Sequence, residues 1–124
     1  MSEVSVGAER QETFEVEGPL LTDVGGTLQF EVLSTPGMIA MIERCAAMLA
    51  AEQLPEGKAT VGFEVCVKHV GAAAKGATCQ VRAQVREVVD GRKLRFDVEV
   101  AEGDRTIGVG THERRVIDTA AMGG

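Results

Sequence analysis

From residue 59 onward, apolar and polar positions alternate with a period of two, interrupted by turn residues. This is the pattern of half-buried antiparallel strands. Val61, Phe63, Val65 and Val67 fall on one face of a first strand and Gly62, Glu64, Cys66 and Lys68 on the other, with His69 continuing the apolar row. Cys79, Val81, Ala83 and Val85 then alternate with Gln80, Arg82, Gln84 and Arg86. Asp90-Gly91 reads as a two-residue hairpin turn. Beyond it, Leu94, Phe96, Val98 and Val100 alternate with Lys93, Arg95, Asp97 and Glu99. A second turn at 102–104 leads to a last strand over about 105–117, where Gly108 and Gly110 signal the close passage of another backbone.

The period changes to that of a helix at residues 37–51, the longest apolar segment and one rich in helix formers. Thr35 is placed to cap this helix, Pro36 suits its first position, and Pro55 with Gly57 marks its exit. Met38, Met41, Ile42, Cys45, Met48 and Leu49 fall on one face. Ile39 and Ala40, Ala46, Ala47 and Ala50 fall on the other, around Glu43. Upstream, Glu12 to Glu17 alternates around Phe14 and Val16 and supplies one more strand, and 18–34 reads as loop with short structure. The order is strand, helix, then four antiparallel strands. A sheet with one apolar face needs a cover, and the 36–52 helix is the cover available, which predicts an α+β layer with the sheet wrapped around one long central helix. The uncovered sheet edge and helix surface predict a homodimer.

The length of 124 residues fits one domain spanning 1–124, with residues 1–10 and 119–124 expected to fray. Apolar residues make up 44%, enough to bury a core, while aromatics make up 3%, four Phe with no Trp or Tyr. That aromatic poverty argues against a site that stacks nucleic-acid bases. The first 64 residues carry eleven acids and three bases, a net −8, and the remainder eight acids and ten bases, a net +2. A nucleic-acid role is disfavoured, while a local anion site in the second half remains open. Cys45, Cys66 and Cys79 have neither disulfide nor zinc spacing and read as reduced, mostly buried thiols. No signal-peptide pattern and no stretch of about 18 apolar residues is present, so the expected location is cytoplasmic, with no membrane partner.

Three polar residues stand out chemically. Glu43, among Ala and Ile on the helix, would be partly desolvated and able to act as base or nucleophile; a surface carboxylate paired with Arg44 is the equally ordinary alternative. His69, where the first long strand gives way to a Gly71-containing loop, is suited to proton transfer near neutral pH, although a lone His at a strand end is more often a polar terminator. Thr35 caps the helix and also offers a hydroxyl to a substrate oxygen. His112 reads as structural, and no metal constellation is apparent.

Taken together, Thr35-Pro36-Gly37-Met38 with Glu43, Cys66-Val67-Lys68-His69, and Gly110 to Arg114 (Gly-Thr-His-Glu-Arg) resemble the fluoroacetyl-CoA thioesterase family of hotdog-fold proteins over roughly residues 35–118. The resemblance implies a hotdog dimer with two active sites at its interface and an acyl-CoA substrate, coenzyme A being part of the substrate with no separate cofactor or metal. By the same likeness, Thr35, Glu43 and His69 are catalytic: Glu43 as nucleophile or water-activating base, His69 as proton-transfer partner, Thr35 as orienter. Gly62 and Arg114 would line the acyl end. Backbone N–H groups near Gly37 would help to hold an oxyanion. The family's Phe-rich lid before the catalytic Thr is reduced here to Phe30, which points to another small or unusual acyl group. Lys68, Lys75, Arg82 and Arg86 are candidates for the CoA phosphates. A non-catalytic hotdog module that binds acyl-CoA, or a hydratase, would use similar residues.

Overall fold

In the computed structural model, which describes residues 4–122, one helix lies across a five-stranded antiparallel sheet. The chain runs through β1 (Glu9–Glu15), a 3-10 turn at Gly18–Leu20, a small pair β2 (Leu21–Thr22) and β3 (Val32–Leu33), and the helix α1 (Thr35–Gln53). Then follow β4 (Lys58–His69), β5 (Thr78–Val89), β6 (Lys93–Glu102), β7 (Arg105–Asp118) and a closing turn α2 (Thr119–Met122). The sheet order is β1-β5-β6-β7-β4, so β1 and β4 are its edges.

Alternation in β5 and β6 places Cys79, Val81, Ala83, Val85, Leu94, Phe96, Val98 and Val100 in the core as expected. Each such side chain withdrawn from water contributes on the order of 1–3 kcal/mol. The helix meets them with Met38, Ile42, Cys45 and Leu49, but also with Gly37, Ala46 and Ala50, while Met48 stays exposed. The placing of Ala46 and Ala50 on the face around Glu43 therefore needs correction: both belong to the buried stripe with Ile42, Cys45 and Leu49, where they let the helix lie close to the sheet. Cys45 and Cys79 are buried and Cys66 is exposed. Burial pushes the Cys45 thiol up to about 11 and raises that of Cys79 as well.

Three expectations shift. The helix is capped by Ser34, whose Oγ accepts from the Gly37 N–H at 2.9 Å, so Thr35 is the first helical residue and its hydroxyl is released from capping. The single apolar row Val61-Phe63-Val65-Val67 is broken by a bulge between Gly62 and Glu64. An extra residue inverts the face on which later side chains emerge. Val61 and Phe63 therefore point outward, Phe63 beneath the Arg115 guanidinium at 3.6 Å, and Gly62 turns toward α1. The ends are also tied down further than fraying at 1–10 and 119–124 implies. Val4 is buried, Gly7 N–H donates to the Val85 carbonyl, β1 begins at Glu9, and Thr119 N–H donates to the Gly57 carbonyl. Positions 1–3 and 123–124 lie outside the described residues.

The β7 glycines serve two purposes. A Cβ at Gly108 would strike the Met38 side chain from the helix, whereas one at Gly110 would overlap the Cys66 carbonyl and stand 2.6 Å from Val67 Cα in β4. Backbone cannot yield as a flexible side chain does, so Gly110→Ala is expected to cost about 3 kcal/mol of stability in urea unfolding. Gly108→Ala, opposed by a pliable thioether, should cost clearly less; equal losses would contradict this assignment.

Candidate active site

Release of Thr35 from the cap has an immediate consequence. Its Oγ1 lies 2.9 Å from His69 Nδ1, at the last residue of β4. The pair borders a shallow, open pocket of about 290 Å³ lined by Val32, Leu33, Val70, Gly71 and Ala72. His69 Nε2 is the one buried side-chain nitrogen or oxygen without a hydrogen-bond partner among the described residues. Leaving such an atom unmet costs about 1–3 kcal/mol, which a ligand atom that met it would recover. The wall is braced from below: Arg105 Nη2 donates to the Ala72 carbonyl at 2.7 Å, and Leu33 N–H donates to the Ala73 carbonyl.

Two helical turns further on, Glu43 forms a second cluster. Its Oε2 is 3.6 Å from Nη1 of Arg114, a buried guanidinium on β7, and a Cβ on Gly62 would collide with that carboxylate. Arg114 is anchored by Nε donating to Thr60 Oγ1 at 2.7 Å and Nη2 donating to the Thr60 carbonyl at 3.0 Å. Burial draws the Arg114 pKa down while the Glu43 charge works against that shift. Glu43 thus pairs with Arg114, not with Arg44, which is bonded to Glu12. The bulge creates this cluster, since an unbroken ladder would point Gly62 away from the helix.

The structure brings Thr35 to His69, and Glu43 to Gly62 and Arg114. It does not bring the two groups together within one chain: eight residues of helix, about 12 Å, separate Thr35 from Glu43. The Gly37 N–H is engaged by Ser34, and a Cβ at Gly37 would stand 3.0 Å from the Leu20 carbonyl oxygen, so this glycine packs the helix start against the preceding turn. The Gly37 N–H itself is thus taken up by the Ser34 cap. Phe30 is 63% exposed and is not among the residues lining the His69 pocket. Of the four candidate phosphate ligands, Lys75 pairs with Glu31, Arg82 with Glu9 and Arg86 with Asp97; Lys68 has no ion pair among the described residues.

His112, which reads as structural in the sequence, is 1% exposed and 3.2 Å from Arg114 Nη1, inside the Glu43 cluster. Its signal was present: His112 and Arg114 stand two apart in a strand and therefore share a face. Burial, with the nearby Arg114 charge, lowers the His112 pKa from its ordinary 6.5. A histidine held neutral in the fold contributes stability that is complete above about pH 6.5 and is lost as pH falls through the depressed folded value. Unfolding free energy is thus expected to drop between pH 7.5 and 5, by less in His112→Gln than in wild type; parallel curves would refute this. Glu113, whose pKa is lowered by Arg95 and Arg115, adds its own loss only below about pH 4.5.

No group of three His, Cys, Asp or Glu able to hold a metal occurs among the described residues, and no helix there is long and apolar enough to cross a membrane. A family model described as fluoroacetyl-CoA-specific thioesterase matches residues 16–120. The fluoroacetyl-CoA thioesterase of Streptantibioticus cattleyicolor is 38% identical over 87 residues, which are 70% of this chain and 62% of that protein. The chain thus matches about three fifths of the length of its curated relative. A solved structure of a fluoroacetyl-CoA thioesterase superposes with a TM-score of 0.85 at 30% identity, covering 96% of this chain and 92% of the other. A single-residue variant solved with fluoroacetate and CoA gives 0.85 at 30% identity, covering 95% and 98%. A thioesterase superfamily member from Thermus thermophilus reaches 0.87 at 23% identity, covering 99% and 90%, which shows the shared fold. The α+β architecture is the hotdog fold.

Proposed function

The chain belongs to the fluoroacetyl-CoA-specific thioesterase family, and from that premise we propose that it is an acyl-CoA thioesterase whose site is shared between two copies. The observation that carries this reading is the split arrangement itself, a carboxylate beside a buried guanidinium and, apart from it, an imidazole held by a hydroxyl. Each half is incomplete. Thioester hydrolysis needs an attacking oxygen and a proton for the departing thiolate.

β4 is a sheet edge and carries His69 at its end and Thr60 and Gly62 near its start. Antiparallel pairing of two β4 edges about a two-fold axis would bring the His69 end of one strand to the Thr60–Gly62 end of the other. The resulting homodimer has two sites, each joining Thr35 and His69 of one protomer to Glu43, Gly62 and Arg114 of its partner. Glu43 supplies the attacking oxygen or takes a proton from the water that supplies it. The C–S bond breaks, the acyl carbon keeps the new oxygen, and the thiolate takes the Nε2 proton of His69 as an imidazolium, whose Nδ1–H donates to Thr35 Oγ1 and which is left a neutral ring. Where Glu43 itself attacks, water then cleaves the acyl–Glu43 anhydride to give the free acid and the carboxylate; in either route solvent takes the proton released and returns one to His69. Coenzyme A enters only as part of the substrate, with Lys68 beside His69 free to meet a phosphate.

Gly62 supports a small acyl group, since the Glu43 carboxylate fills the space a side chain would take. Release of free thiol from a panel of acetyl-, propionyl-, butyryl-, crotonyl- and fluoroacetyl-CoA tests the proposal. Turnover of at least one short-chain thioester is expected. Hydrolysis of none, with a CoA-dependent rise in Tm, would instead make the protein a binding module.

A further inference from the structure

His112 touches no reacting group, yet two bonds fix it. Its Nδ1 is 2.8 Å from the Glu64 carbonyl, which can only accept, so Nδ1 carries the proton. Nε2 is then an acceptor, 3.2 Å from Arg114 Nη1, which can only donate. The Phe96 ring stacks on the imidazole with centroids 6.2 Å apart. A neutral ring in one tautomer results, beside the bulge that turns Gly62 toward the helix.

The partners of Arg114 explain why this matters. Among the described residues its three hydrogen bonds go to Thr60 Oγ1, the Thr60 carbonyl and His112 Nε2, all neutral acceptors. Glu43 stands 3.6 Å away, beyond hydrogen-bond length. A guanidinium held only by neutral groups keeps its charge for the carboxylate it faces. We propose that His112 is a positioning residue: it holds Arg114 Nη1 where the guanidinium faces Glu43 and the Gly62 gap, and through Arg114 it sets the geometry of the acyl end. The charged groups facing the ring are Arg114 on its own strand and Glu43 on α1; β4 offers the Glu64 carbonyl and β6 the Phe96 ring. A protonated His112 could no longer accept from Arg114 and would oppose it with a like charge.

The kinetic consequence rests on the thioesterase reading; the structural one does not. His112→Leu keeps volume and removes the acceptor, while His112→Gln keeps an acceptor within reach. With the best substrate of the panel, H112L is expected to lose about tenfold to a hundredfold in kcat with KM little changed, and H112Q to stay within about fivefold of wild type. A wild-type kcat in H112L would overturn the proposal. So would equal kinetic losses in both variants that follow their losses in Tm, because that pattern describes packing alone. Nitrogen-15 NMR of the imidazole at pH 7 supplies an arm independent of turnover. The Nδ1–H tautomer is expected, with the His112 titration moving upward in Arg114→Gln. An Nε2–H tautomer, or a titration unmoved by R114Q, would sink the positioning role even if wild type hydrolyses acyl-CoA; failure of all hydrolysis with the NMR result as expected would sink only the thioesterase reading.

Discussion

Glu43→Gln is expected to lower kcat for acyl-CoA hydrolysis by about three orders of magnitude while leaving the fold intact. Glutamine keeps the shape of the side chain beside Gly62, so neither a cavity nor a clash arises. It removes the one group of the cluster that can attack a thioester or take a proton from water. Stability should respond modestly. The Glu43 side chain is 41% exposed, which screens the pair, but Arg114 is buried and loses the counter-charge it faces, so a cost on the order of 1 kcal/mol is expected. The diagnostic result is therefore a collapsed kcat beside a Tm within a few degrees of wild type. Retention of more than a tenth of the wild-type rate would remove Glu43 from the chemistry.

Alternation made most of the sheet legible from sequence, because the burial of β5 and β6 follows from period two alone. The same rule misread β4. Val61, Phe63, Val65, Val67 and His69 form an unbroken apolar row on paper, and a bulge leaves no mark in such a row except the glycine beside it. Gly62 was that mark. Alternation alone puts it on one face with Glu64, Cys66 and Lys68, whereas in the fold it is the place where the strand turns its other face to Glu43. The helix start was ambiguous for a different reason: Ser34 and Thr35 can both cap, and the choice depends on whether Pro36 occupies the first or the second helical position. That one-residue difference decides whether the Thr35 hydroxyl is spent on backbone or is free for His69. The candidate residues were thus identifiable by type and spacing, whereas their grouping depended on a bulge and a cap that local propensity does not rank.

Mixing two dead variants should restore activity. If each site joins Thr35 and His69 of one protomer to Glu43 and Arg114 of the other, an E43Q/H69A heterodimer places both lesions in one site and leaves the other intact. Random reassortment of equal amounts gives about half heterodimers, so about a quarter of wild-type activity should return from two nearly inactive parents. Heterodimers isolated through two different tags should carry about half the wild-type rate per dimer. The geometry of one chain makes the alternative concrete. For Glu43 and His69 to work within the same protomer, about 12 Å of helix would have to be bridged, since Thr35 already ties His69 to the helix start. A mixture no more active than the sum of its parents, under conditions where heterodimers are shown to form, would place both halves in one chain and require the helix or the β4 end to move. A second pair discriminates further. E43Q mixed with Arg114→Gln should not complement, because both lesions lie in the same half and no dimer of those two chains contains an intact site.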